Sequence, residues 1–205
     1  MGEKYLKPSL FLSDRLKTSI LREKTKKLVL LISKPFIYLG FTPNMVSFFS
    51  IVAVIALFPI LENGYFYLAA LMILFNGVLD LVDGAVARAT RKSSIFGKFI
   101  DRTLDKVSDA AILVAFIVYG LVSLRLGLYT LVAMFLATNI SANIEGVLKF
   151  KISDAVSMRF LRIIILVAFT AMQKFRTMFI ILAIISTYSL IYRFGEACSM
   201  YFRKK

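Results

Sequence analysis

The chain has 205 residues, 59% of them hydrophobic, with a mean hydropathy of +0.79 and a formal net charge of +14 from 26 Lys and Arg against 12 Asp and Glu. A soluble domain carries about 45–50% apolar residues, so this composition excludes an ordinary water-soluble globule. The positive charge falls between apolar runs rather than on one polar face, which excludes nucleic acid as the expected partner.

A single cysteine, Cys198, rules out an intrachain disulfide. With no histidine there is no ordinary zinc site and no imidazole for acid–base chemistry. Carboxylates, hydroxyls, lysines and hard cations remain.

In chain order, residues 1–27 are charged and interrupted by Pro8, without the apolar centre and small-residue cleavage site of a signal peptide. Over 14–39, Leu16, Ile20, Leu28, Leu31 and Ile32 alternate with Lys17, Arg22, Lys24, Lys26 and Lys27. That pattern predicts a basic amphipathic segment lying on a membrane surface, the other reading being a disordered basic tail. Pro35 is expected to break or bend it. A bilayer span needs about 20 mostly apolar residues, and six such runs follow. They cover 44–61, opened by Thr42-Pro43 as a helix start, then 65–88, 94–121, 127–150, 155–172 and 177–201. Connections are short and no internal repeat is visible. The expectation is an all-α integral membrane protein: a juxtamembrane segment over 1–41 and one six-helix transmembrane catalytic domain over 42–205.

Basic residues give the orientation. Of the 26, all but Arg125, Lys174 and Arg176 lie on one side of the predicted spans. That side is cytoplasmic, and an even number of spans puts both termini there, in a multi-pass protein of the cell membrane. Lys174, Arg176 and the terminal Arg203-Lys204-Lys205 read as interface anchors. Tyr65, Tyr129 and Tyr201 read as aromatic-belt residues at span ends.

Asp80, Asp83, Asp101, Asp105 and Asp109 fall within or beside the second and third spans. An aspartate at membrane depth costs roughly 2.5–3.5 kcal/mol on insertion scales and marks a functional site by default. Asp80 and Asp83 are three apart, with Gly84 and Ala87 continuing their face; Asp101 and Asp105 are four apart, with Gly97 one turn earlier. Two antiparallel neighbouring spans would bring these carboxylates together near the cytoplasmic boundary. Oxygen ligands alone select hard ions, so Mg²⁺ or Mn²⁺ is expected. From spacing alone three readings stand: metal-dependent catalysis, a cation pathway, and helix–helix ion pairing with Arg88, Arg102 and Lys106.

The run Asp80-Leu-Val-Asp83-Gly84-Ala-Val-Ala87-Arg88, eight residues, then Gly97-Lys-Phe-Ile-Asp101-Arg-Thr-Leu-Asp105, resembles the CDP-alcohol phosphotransferase signature at all eight of its fixed positions. The six-span layout is also similar to that family's. The resemblance implies transfer of a phosphoalcohol group from a CDP-linked donor to an acceptor hydroxyl with release of CMP. It implies Asp80, Asp83 and Asp101 as metal ligands for two ions, and Asp105 as general base and further metal ligand. It implies Gly84 and Gly97 as the points where the nucleotide approaches the helices, and Ala87 and Arg88 as completing the nucleotide face. Thr42-Pro43-Asn44, with Ser47 one turn on, resembles the family's Pro-Asn start of the first span, which places Asn44 near the nucleotide; a plain helix cap is the other reading. Asp109 lies outside the signature and reads either as support for the ligands or as a structural polar contact. Members of the family are homodimers, which implies the same here.

A polytopic protein with a site near the cytoplasmic interface suits a CDP-linked lipid donor, CDP-diacylglycerol or a dialkyl counterpart. Lys149, Lys151, Arg159 and Arg162 cluster where the fourth and fifth spans meet the cytoplasm and could bind an anionic acceptor. They resemble, imperfectly, the Lys-x-Arg and paired arginines of members using inositol phosphate: Lys151 stands where Arg is usual, and the glutamates commonly beside the arginines are missing. Inositol phosphate is the expected acceptor, with glycerol phosphate, serine or another alcohol, or a CDP-polyol donor, as alternatives; the cations also fit the positive-inside rule or anionic lipid headgroups. The rival from another class is a cation transporter. It would place acids near the bilayer midplane in both halves, whereas the last three spans hold only Glu145, Asp154 and Glu196, all toward the cytoplasmic side.

Overall fold

A computed structural model of the chain describes residues 31–41, 43–89, 95–147 and 155–203, with seven helices and no strand among them. The first, α1, covers 31–38. It is followed by α2 (Pro43–Glu62), α3 (Phe66–Ala89), α4 (Ile95–Val118), α5 (Leu124–Gly146), α6 (Ala155–Ala171) and α7 (Phe175–Arg203). The last six track the six apolar runs to within a few residues at each end.

Four of them carry stretches long and apolar enough to cross a bilayer: Met45–Glu62, Phe66–Asp83, Leu124–Ile144 and Phe175–Ser199. The other two differ for identifiable reasons. The first half of α4 carries Lys98, Asp101, Arg102, Asp105 and Lys106, and α6 is only 17 residues long with Arg159 and Arg162 in its first turns. α1 is the described end of the amphipathic segment, whose residues 14–30 lie outside the described residues. It runs through Pro35 rather than breaking there. Ile32, Phe36 and Ile37 of α1 pack on Val46 of α2 and on Leu79, Val82 and Val86 of α3.

Four helices end in the same way. At Gly40, Gly64, Gly120 and Gln173 the backbone turns left-handed, and the amide one residue later reaches back five residues, as Phe41 N to Phe36 O at 2.9 Å and Lys174 N to Phe169 O at 3.0 Å. This satisfies orphan carbonyls at the helix end and reverses the chain in a few residues. Gln173 does it with a side chain in a conformation that suits glycine.

Short reversals make an up-and-down bundle. Its main helix contacts run α3–α2–α4–α5–α7–α6 and back to α3, closing a ring. α3 and α4 therefore share no extended packing face. The expectation that the second and third spans are neighbours is corrected: α2 lies between them, because it packs on both. The main core fills the end of the bundle remote from the acids, around Leu57, Ile73, Leu113, Phe116, Met178, Phe179 and Leu182. Outward-facing side chains are large and apolar, such as Phe48, Val52 and Ile55 on α2 and Ile180, Ile184 and Ile191 on α7, all more than 40% exposed. Such a surface is stable only against lipid. Lipid gives no hydrophobic drive between helices, so close packing and interhelical hydrogen bonds hold them. Examples are Tyr129 Oη with Thr187 Oγ1 at 2.8 Å, and Thr130 Oγ1 donating to Phe179 O at 3.3 Å, each joining α5 to α7.

α3 and α6 approach most closely at Gly77, where an added Cβ would lie 2.9 Å from Ile163 Cγ2. Gly77→Leu is expected to cost about 1–3 kcal/mol through overpacking. A drop in the thermal unfolding midpoint in detergent would read this, with Gly64→Ala, at an open turn, as the comparison for purely conformational strain.

Candidate active site

The bundle's alternation brings the starts of α2, α4 and α6 to the same end as the finishes of α3, α5 and α7. At that end α3 carries Asp80 and Asp83 and α4 carries Asp105 and, one turn deeper, Asp109. Arg159 of α6 joins them. Its Nη1 donates to Asp80 Oδ1 at 2.7 Å and to Asp105 Oδ2 at 2.6 Å, and its Nη2 stands 3.8 Å from Asp109 Oδ1. The two halves of the signature thus meet at one nitrogen, although their helices do not pack on each other.

Asp83 is buried, and Ser47 Oγ of α2 donates to its Oδ2 at 2.5 Å. One turn on, Ser50 Oγ donates to Oδ1 of the buried Asn76 at 2.5 Å. Ser47, Ser50, Asp80, Asp83 and Asp105 line a small cleft, partly open to solvent, with Val46, Leu79 and Leu104 as its apolar part.

The donor set is oxygen only, three carboxylates and two hydroxyls, which is the chemistry that suits a hard divalent cation. A cationic group already stands where Asp80 and Asp105 converge. In kind, these residues fit a divalent ion. In the present arrangement no three acids among the described residues converge tightly enough to hold one unaided. The fourth expected ligand, Asp101, lies on α4 with its side chain outside the described residues. So do the side chains of Asn44, Ala87 and Arg88 and the surroundings of Gly84 and Gly97, whose backbones lie on α2, α3 and α4. Thr42, Lys149 and Lys151 fall outside altogether.

Beside the cleft, toward α5 and α7, lies a second polar group of side chains. Arg162 is within electrostatic reach of Asp109, Arg159 and Arg193. Arg193 of α7 is buried and donates through Nη1 to Ala137 O at 3.1 Å and to Ser141 Oγ. Lys106 Nζ donates to Asn139 Oδ1 at 3.3 Å.

Three differences from the sequence reading emerge. Arg159, expected at the acceptor, also touches the carboxylates. Lys106, weighed as an ion-pair partner of the acids, donates to an asparagine of α5. Arg193 was counted only as a basic residue at a span end. An arginine inside the apolar run Ser-Leu-Ile-Tyr-Arg193-Phe is itself a functional signal, and that signal was available. Arg125, Lys174 and Arg176 are exposed near the turns of the opposite end.

Residues 41–194 match the family model described as CDP-alcohol phosphatidyltransferase. The chain is 31% identical over 184 residues to the archaetidylinositol phosphate synthase of Pyrococcus horikoshii, covering 87% of this chain and 95% of that one. Its fold is similar to crystal structures of a Mycobacterium tuberculosis phosphatidylinositol phosphate synthase. With CDP-DAG bound, that protein gives a TM-score of 0.65 at 20% identity, over 83% of this chain and 94% of its own. In complex with manganese and citrate it gives 0.65 at 20% identity, over 82% and 88%. By sequence, signature and fold, this chain belongs to the CDP-alcohol phosphatidyltransferase family and is an enzyme of phospholipid synthesis.

Proposed function

We propose that the enzyme moves a phosphatidyl or archaetidyl group from a CDP-linked lipid to a hydroxyl of inositol phosphate, releasing CMP. The observation that carries this is the meeting of Asp80, Asp105 and Arg159: donor-side carboxylates and an acceptor-side arginine share one point. Family membership sets aside the cation-transport reading. The acceptor is supported by the names of the relatives and by the arginines Arg159, Arg162 and Arg193, a group suited to a phosphate. Lys149 and Lys151 complete the proposed acceptor site.

Asp80, Asp83, Asp101 and Asp105 would hold one or two Mg²⁺ or Mn²⁺ ions, a choice supported by the manganese complex of the mycobacterial protein. When bound, a divalent ion supplies charge neutralisation at the donor pyrophosphate. The chain's own residues do the rest. Ser47 orients Asp83, leaving that carboxylate one lone-pair direction fewer to choose among. Gly84 and Gly97 admit the nucleotide against α3 and α4, with Asn44, Ala87 and Arg88 around it. Asp105 takes the proton of the acceptor hydroxyl as its oxygen bonds to the lipid-linked phosphorus. The bridging P–O bond breaks with its electron pair on CMP.

The topology that suits this is six spans, α2 to α7, with the site and both termini on the cytoplasmic side of the cell membrane and residues 1–41 along its surface. α4 and α6 are short of apolar length on their own, but Asp105 and Asp109 of α4 and Arg159 of α6 face one another inside the bundle. Homodimerisation follows from the family resemblance.

CMP release from purified enzyme with Mg²⁺ or Mn²⁺ and CDP-diacylglycerol or its dialkyl analogue tests the reading. Metal-dependent CMP release is expected with inositol phosphate and not with free inositol, glycerol phosphate or serine. Release with one of the others renames the acceptor; release only with a CDP-polyol overturns the lipid donor.

A further inference from the structure

We propose that Arg159 is the resident counter-ion of the carboxylate cleft, displaced when a divalent ion loads, so that one side chain couples metal binding to acceptor binding. This rests on the reading of Asp80 and Asp105 as metal ligands.

The geometry carries it. Arg159 does not form the parallel two-bond pair that makes an arginine–carboxylate contact strong. It uses a single nitrogen, Nη1, for Asp80 on α3 and Asp105 on α4 at once. Its Nε is buried without a hydrogen-bond partner, which is unfavourable for a donor. The guanidinium is therefore close enough to neutralise two carboxylates that would otherwise repel, but incompletely satisfied where it stands. Two partly buried carboxylates this close repel each other unless a cation stands between them. Arg159 supplies one from within the chain.

Asp109 gives the exchange a second position. It lies one turn below Asp105 on the same helix face, 3.8 Å from Nη2. An arginine leaving Asp80 and Asp105 keeps this carboxylate, and with it a place beside Arg162, where the acceptor phosphate is proposed to bind. Asp109, which the signature does not require, thereby becomes a positioning residue for Arg159. The consequence is an order of events: a cleft without its divalent ion has its acceptor arginine engaged elsewhere, and loading the ion frees it.

The experiment uses full-length enzyme in detergent with Mn²⁺ and no substrate. Free Mn²⁺ is followed by its paramagnetic resonance signal for the wild type, Arg159→Gln and Asp80→Asn. Arg159→Gln is expected to bind Mn²⁺ about tenfold more tightly or better, since two charge-assisted hydrogen bonds no longer compete. In the wild type, phenylglyoxal labelling of Arg159, read by peptide mass spectrometry, is expected to rise on adding Mn²⁺. This second measurement needs no variant to fold, and it separates displacement from a general electrostatic effect. Unchanged or weaker Mn²⁺ binding by Arg159→Gln, or Mn²⁺ binding that leaves Arg159 labelling unchanged, overturns the exchange. Equal Mn²⁺ binding by wild type and Asp80→Asn overturns the metal-site reading itself.

Discussion

Asp105→Asn is expected to lower kcat by about 10²–10⁴-fold, the range a positioned general base contributes, while the CDP-linked donor still binds. Asparagine keeps the shape of the side chain and loses the charge that accepts a proton. The structure gives the assignment a spatial basis. Asp105 lines the cleft together with Asp80 and Asp83, and its Oδ2 lies 2.6 Å from an arginine proposed to serve the acceptor. A base must stand between the donor's phosphorus and the acceptor's hydroxyl, and Asp105, in the cleft and bonded to Arg159, meets that condition. Asp83 is held by Ser47 and is buried, which suits a fixed ligand better than a proton carrier.

The control is Asp80→Asn. If Asp80 serves mainly as a ligand, its loss weakens Mn²⁺ and donor binding, so the donor KM rises along with the fall in kcat. Asp105→Asn, by contrast, should show the larger part of its defect in kcat with donor affinity kept. Equilibrium binding of CDP-diacylglycerol to each variant, alongside steady-state CMP release, separates the two. Full activity of Asp105→Asn would remove the general-base role. A loss of donor binding equal to that of Asp80→Asn would make Asp105 a ligand only.

Much of this fold is legible in the sequence because lipid simplifies it. Apolar runs of about bilayer length have few alternatives to helix, and glycine at the turns punctuates them, so the helix ends fall within a few residues of the runs. The five aspartates stand out for the same reason: an acid in an apolar run has no cheap structural explanation. The order of helices around the ring is not legible. Every span is apolar on its lipid face, and nothing in the run of residues says that α2 separates α3 from α4. Arg159 pairing with Asp80 joins residues 79 apart and depends on α3 packing against α6, where Gly77 lets Ile163 in close. Contacts of that range are invisible to spacing arguments along one helix. Arg193 shows a different failure. Counting basic residues by side of the membrane treats them all alike and conceals that one of them is buried and bonded to α5.

Arg162→Gln is expected to raise the KM for inositol phosphate by about tenfold or more, some 1.4 kcal/mol or above, and to leave the donor KM within about twofold. Arg162 is the cleaner probe of the acceptor site. Arg159 contacts Asp80 and Asp105 directly, so its removal alters the donor side as well; Arg193 donates to Ala137 O and Ser141 Oγ and helps fix α7 on α5. Arg162 lies between these two on the electrostatic map, repelled by both and attracted by Asp109. Arg159, Arg162 and Arg193 together make a strongly cationic group, and a phosphate dianion is what the proposed acceptor brings to it. The separating measurement is the pair of KM values together with inhibition by inorganic phosphate. If Arg162 reads the acceptor's phosphate, inorganic phosphate inhibits the wild type competitively against inositol phosphate, and the variant loses that inhibition in step with its rise in KM. If both KM values move alike, or phosphate inhibits the variant as it does the wild type, Arg162 serves the bundle's charge balance and the acceptor phosphate is held elsewhere, with Lys149 and Lys151 the next residues to substitute.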